Sequence, residues 1–165
     1  MVGAFDAWSE FDVAVAGAGA ALAGLLIVAL SVNIKQIAES RGLAARAGAA
    51  VAALILGVVL SCAALIPGQV LWGFGVQVLV LTALCFVIAG YAARAVLADP
   101  SRGEYHRFDI PVIALFVVPL VLFAVGGVLL AASVAGGLVW VAAGSIVAVV
   151  GAIAFSWIAL VEVLR

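Results

Sequence analysis

Charge is the scarcest property of this chain. Only 9% of its 165 residues are Asp, Glu, Lys or Arg, with a single Lys among them, and the chain has one His. Soluble domains carry about 25% charged residues and roughly 45–50% apolar ones, whereas here the apolar share is 69%. A small soluble fold buries only about two-thirds of the surface its unfolded chain exposes, so water cannot be the solvent for most of this sequence. A net charge of −1 with no basic run gives no footprint for nucleic acid. Cysteine is almost absent too. Cys62 and Cys85 lie inside apolar runs, which excludes a disulfide framework and a zinc-type ligand spacing. The single His leaves no Ser/His/Asp or Cys/His set, and there is no paired-carboxylate motif or P-loop. These absences point away from an enzyme and imply no cofactor and no metal.

What remains is long apolar runs. A helical span needs about 20 such residues to cross some 30 Å of hydrocarbon. Five stretches qualify, at about Phe11–Asn33, Leu43–Ile66, Leu71–Leu97, Ile110–Ala132 and Leu138–Leu164. The expected architecture is therefore an all-α integral membrane protein of five transmembrane helices in a single domain, 1–165. The first helix is expected to run on toward Ser40. Pro67-Gly68 ends the second, and Ser133–Gly137 is short enough to require a tight hairpin, with Gly136-Gly137 supplying flexibility. No cleavable leader is expected, since residues 1–12 hold Asp6, Glu10 and Asp12 and no base.

The few bases then orient the bundle. Lys35, Arg41 and Arg46 flank the first connection, Arg94, Arg102 and Arg107 the third, and Arg165 follows the last span, while 67–70 and 133–137 are uncharged. With five spans all seven bases fall on one side. The positive-inside rule makes that side cytoplasmic, leaving the N-terminus outside and the C-terminus inside. Trp8, Trp72 and Trp140 fall at the expected outer interface, and Tyr91, Phe108 and Trp157 near the inner one, where amphipathic rings prefer to sit. Ala, Val and Gly richness with one Lys suggests a GC-rich bacterial genome, hence the bacterial cytoplasmic membrane.

No ionisable residue lies near the middle of a span, which argues against a proton relay or ion-coupled carrier. Uncharged polar residues are left. Asn33 sits with Ser31 and Gln36 at a helix end, Gln69 and Gln77 bracket the start of the third span, and Thr82 and Ser145 lie within spans. Gln77 is expected to bond to another helix; Ser61, Thr82, Ser145 and Ser156 can bond to their own backbones. In the loop Ala98–Asp109, Glu104, His106 and Asp109 form no metal-ligand spacing, and Lys35, Arg41, Arg46, Arg94, Arg102 and Arg107 offer contacts for anionic lipid. Pro119, inside the fourth span, frees the carbonyl of Leu115 and is a candidate hinge, with Gly126-Gly127 as a second soft point.

Small residues recurring at i+4 mark candidate packing faces, because they let helix backbones approach closely. They are Ala16, Ala20 and Gly24 with Gly17 and Ala21 in the first span; Ala45, Ala49, Ala53 and Gly57 in the second; and Gly144, Ala148 and Ala152 in the fifth. Spans one, two and five are therefore expected to make the tightest contacts, with one face left for an oligomer or partner. The same glycines mimic a dinucleotide-binding turn in VAVAGAGAALAG (13–24), with Glu39 at a plausible distance. Leu22 stands where the fingerprint needs Gly or Ala, and the apolar run is too long for a strand.

The stretch FDVAVAGAGAALAGLLIVALSVNIKQI, the Arg46-containing start of span two, and IPGQ resemble a group of small actinobacterial membrane proteins of unknown function. Some of those proteins carry an automatic label as modulators of an FtsH-type membrane protease. The resemblance covers Phe11 to Gln69 and implies a shared fold, with no catalytic residues to carry over. Together these features lead to the expectation of a non-enzymatic accessory, assembly or modulatory subunit of a larger membrane complex. The alternative is a homo-oligomeric channel or small carrier lined by Gln77, Thr82 and Ser145.

Overall fold

Apolar runs of this length leave no water to satisfy backbone N–H and C=O groups, so each run must close its own hydrogen bonds as a helix. The computed structural model describes residues 4–32, 34, 41–97 and 106–163, and it is all-helical there. A 3₁₀ turn, Asp6–Trp8, leads into α1 (Ser9–Val32), followed by α2 (Arg41–Ala64), α3 (Leu71–Leu97), α4 (His106–Ala131) and α5 (Gly137–Val163). Helices α1, α2, α3 and α5 each contain at least 18 consecutive residues apolar enough to cross a membrane. Helix α4 has 26 residues, about 39 Å of length, with Val117–Ala131 as its described apolar part. The continuation of α1 toward Ser40 lies outside the described residues.

Two boundaries differ from expectation for local reasons. Helix α2 stops at Ala64 rather than Ile66, because the residue before a proline is pushed out of the helical region, here by Pro67. Helix α4 begins at His106 rather than Ile110; charged residues can continue a helix past the membrane because water solvates them.

The α4–α5 turn also works differently from expectation. Its left-handed residue is Ser133, at φ 60°. Ser133 N–H donates to the Leu130 carbonyl (2.8 Å) and Val134 N–H to the Leu129 carbonyl (2.9 Å), a Schellman closure that more often uses glycine. Gly136 and Gly137 have no positive φ. Gly137 serves close approach instead: a Cβ there would stand 2.7 Å from the Gly126 carbonyl oxygen and 2.7 Å from Leu130 Cγ.

Such approaches hold the bundle together. A Cβ on Gly126 would stand 2.9 Å from the Gly137 carbonyl oxygen, and one on Gly127 2.9 Å from the Leu79 side chain. On Gly75 it would run into the backbone of Leu130 and Ala131. Hence α3–α4 and α4–α5 make the most extensive contacts, followed by α1–α2. That corrects the expectation that spans one, two and five would pack tightest. Sequence neighbours joined by short turns lie antiparallel, and the glycines that let them close sit on α3, α4 and the start of α5. Helix α2 is central, touching all four others, while α1 touches only α2 and α5 extensively. The main core joins Leu56 and Leu60 of α2, Phe74 and Val78 of α3, Leu120, Phe123 and Leu130 of α4, and Leu138 and Val141 of α5.

Helix α4 continues through Pro119, whose side chain is fully buried, and Gly126-Gly127 is clamped between α3 and α5 rather than left soft. The expected outcome of Gly126→Ala is a loss of about 1–3 kcal/mol from overpacking against backbone. Gly17→Ala, where a Cβ meets nothing within 4 Å, should be neutral or gain up to about 1 kcal/mol in helix propensity. Thermal unfolding of both variants in one detergent checks the contrast, and equal destabilisation would contradict this packing.

Candidate functional site

Three features could carry function: the helix faces, a polar cluster at the end of the bundle where α1 starts, and a cleft beside it. On α1 the buried positions are Asp12, Gly19, Ala23 and Leu26, with Ala16 and Leu30 half-buried. Their spacing alternates four and three, the 3.5-residue seam of closely packed helices. The i+4 row expected from the sequence does not follow it. Four residues turn an α-helix by about 400°, so such a row drifts some 40° per step off any straight neighbour. Accordingly Gly17, Ala20, Ala21 and Gly24 are exposed on the bundle exterior, and Gly17 and Gly24 would meet nothing within 4 Å if given a Cβ. The residue that seats α1 on α2 is Gly19, where a Cβ would lie 2.6 Å from Val58 Cγ2.

On α2, Ala53 and Gly57 are buried and Ala49 half-buried; on α5, Gly144, Ala148 and Ala152 are all buried. These two helices meet where Gly57 faces Ser145, with a would-be Cβ 3.6 Å from its Oγ, while Gly144 accommodates the Phe123 ring. The side chain of Ala45 lies outside the described residues, as do those of Arg41, Arg46, Arg107, His106 and Asp109, and all of Asn33, Lys35, Arg102 and Glu104. Arg94, on α3, is exposed.

The polar residues separate into distinct settings. Gln69 is half-buried; its Nε2 donates to the Ala63 carbonyl (2.9 Å) and to Gln77 Oε1 (3.2 Å). The partner of Gln77 is thus on the connection before its own helix, not on another helix. Gln77 itself is exposed, whereas Thr82 and Ser145 are buried. Ser145 and Ser156 bond back to the carbonyls of Val141 (3.1 Å) and Ala152 (2.8 Å). Thr82 Oγ1 is buried with no hydrogen-bond partner among the described residues. Gln77 therefore does not share the buried setting of Thr82 and Ser145.

Ser61 departs from expectation in a telling way. Its hydroxyl is a hydrogen-bond partner of the Asp12 carboxyl group on α1, a contact between helices. Both residues are buried, so a carboxyl group is set into the α1–α2 seam one turn from the start of α1. By sequence, Asp12 belongs to a polar N-terminal segment and gives no hint of burial. The signal that finds it is its register: Asp12 is four residues before Ala16 and seven before Gly19, on the seam that packs.

The 3₁₀ turn is held over this end by aromatic contacts. Phe5 meets Phe74 edge-on (5.4 Å, 86°), and Trp8 meets Phe11 likewise (5.9 Å, 87°). Between this turn and the α2–α3 connection lies an open cleft of about 560 Å³, lined by Phe5, Asp6, Ser9, Ala64, Pro67 and Gln69 among others. No protein family, curated protein or solved structure matches the chain.

Removing the donor of a buried charged or polar acceptor costs more than the bond contributes. Ser61→Ala should therefore lower stability by about 1–3 kcal/mol. Thr82→Val, which deletes a hydroxyl that has no partner, should leave stability unchanged or slightly raised. Paired melting curves check this, and a Thr82→Val loss as large as that of Ser61→Ala would contradict the assigned hydrogen bonding.

Proposed function

We propose that this chain is a non-enzymatic accessory, assembly or modulatory subunit of a larger membrane complex, docked through the outer face of α1. The supporting observation is the second seam on that helix. Gly17, Ala21, Gly24 and Val28, at alternating spacings of four and three, are all exposed on the bundle. Lipid makes no demand for small residues on a helix surface, whereas another helix does. Small residues let backbones approach, and packing contacts are then the main attraction, because lipid tails remove the hydrophobic driving force. Ala53 and Gly57 on α2 and Gly144, Ala148 and Ala152 on α5 are covered by neighbours within the chain, as Gly19 and Ala23 are on α1, whereas Gly17, Ala21 and Gly24 are not.

The rest of the proposal follows from charge. The chain sits in the bacterial cytoplasmic membrane with its N-terminus outside and its C-terminus inside, all seven bases on the cytoplasmic side. There Lys35, Arg41, Arg46, Arg94, Arg102 and Arg107 meet anionic headgroups. A pore reading finds less support, since Gln77 is exposed while Thr82 and Ser145 are buried.

Gentle extraction from native membranes followed by native mass spectrometry tests the reading. Wild type is expected to carry a protein partner. Gly24→Ile is expected to lose it while keeping its melting temperature, because Gly24 is exposed and a Cβ there meets nothing within 4 Å among the described residues. A wild type found strictly alone, or a Gly24→Ile variant that retains its partner in full, would overturn the proposal.

A further inference from the structure

The buried positions of α1 are Asp12, Gly19, Ala23 and Leu26, so a carboxyl group is the one polar member of a packed seam. Asp12 is 9% exposed and sits in the first turn of the helix, about 4.5 Å along the axis from Ser9. Its partner across the seam is the Ser61 hydroxyl on α2. Over the two turns that follow, Val15 and Ala16 are only half-buried, and the next buried residue is Gly19. The seating of the start of α1 therefore depends on what Asp12 tolerates.

No basic side chain lies nearby to answer this carboxyl group. Residues 1–34, 47–93 and 137–164 contain no Lys, Arg or His. On α2 the other titratable groups are Cys62, which is exposed, and Arg41 and Arg46, which precede Ser61 by about 30 and 22 Å of helix. On α5 none occurs before Glu162, and on α3, which meets this end through Phe5, none before Cys85. The 3₁₀ turn brings Asp6, exposed and engaged in an interaction of its own, and α1 brings Glu10, also exposed. Both are acids. Uncharged, a carboxyl group and a hydroxyl satisfy each other, since each can donate and accept. Ionised, the carboxylate only accepts and has room for about four hydrogen bonds. Burying it without a cation or a full set of donors is strongly disfavoured. Water at the helix start solvates the ion only if the first turns of α1 move off α2.

We propose that Asp12 and Ser61 form a proton-operated latch. Protonated, Asp12 seats the start of α1 on α2; ionised, it lifts those turns toward water while Gly19, Ala23 and Leu26 stay packed. The proton is taken up on seating and released on lifting, so acid favours the seated form and alkali the lifted one. Where the seated form is protonated and the lifted form ionised, the ratio of lifted to seated changes about tenfold per pH unit. The latch lies on the packed seam rather than on the outer face of α1, and its test needs no partner.

The experiment titrates the full chain in phosphatidylcholine nanodiscs from about pH 4 to about pH 9, which covers carboxyl groups in proteins, including strongly displaced ones. Two NMR signals are followed. The shift of the Asp12 carboxyl carbon reads ionisation, and relaxation of backbone amides by a water-soluble gadolinium chelate reads access of water. Relaxation at Val13 and Ser61 is expected to rise in step with Asp12 ionisation, while Leu26 and Ala50, buried together deeper in the bundle, stay unchanged. Asp12→Asn should hold the acid-side pattern at every pH, and Glu10→Gln should respond as wild type does. Ionisation of Asp12 with no change at Val13 and Ser61 would overturn the latch, a comparison made within wild type and independent of how any variant folds. So would an Asp12 that keeps one protonation state throughout, an Asp12→Asn variant with the wild-type response, or a Glu10→Gln variant without it.

Discussion

Backbone-to-backbone approach at a few glycines is the constraint on which this bundle depends. In lipid, burying a leucine against another helix gains little over leaving it among acyl chains, so association relies on how closely two helices can come. At Gly75 the backbone of α3 presses on Leu130 and Ala131, and at Gly126 and Gly137 helices α4 and α5 touch through bare backbone. These contacts bring α3, α4 and α5 into one layered unit. Phe74, Phe123 and Leu130 can then fill the remaining space completely. Helix α2 seats on that unit through its own buried face, and α1 packs on α2 through Gly19, Ala23 and Leu26. The bundle has a well-covered interior and one outlying helix.

The helices themselves are legible in the amino-acid sequence. Run length alone marks α1 to α5 within a few residues, since a stretch of this hydropathy has no other way to satisfy its backbone. Which face of each helix packs is harder to read. Helices α2 and α5 are crowded by neighbours, so a row of small residues on them is covered, and Ala53, Gly57, Gly144, Ala148 and Ala152 are buried. On α1, with fewer neighbours, the choice between two small-residue seams depends on which one α2 fits, and that is a three-dimensional property. The Gly19 seam is the one that fits, and it brings Asp12 into the interface. The α4–α5 turn shows the same limit. Gly136-Gly137 has the composition of a flexible element, yet Ser133 takes the left-handed conformation, because Gly137 is needed for its missing side chain beside Gly126.

The proposed docking face follows from what the interior leaves over. Helix α1 has used one seam and retains another, which is what a subunit needs if its partner is a helix.

The most direct measurement of the central claim is a nitroxide scan along α1, reading collisions with lipid-dissolved oxygen. It covers positions 17, 20, 21 and 24 and positions 23 and 26. The scan is run on the purified chain in nanodiscs and again on the chain in native membrane vesicles. Protection is expected at 23 and 26 in both settings, with 17, 20, 21 and 24 open to lipid in nanodiscs and protected in native membranes. Lipid exposure of 17, 20, 21 and 24 in native membranes equal to that in nanodiscs would contradict it.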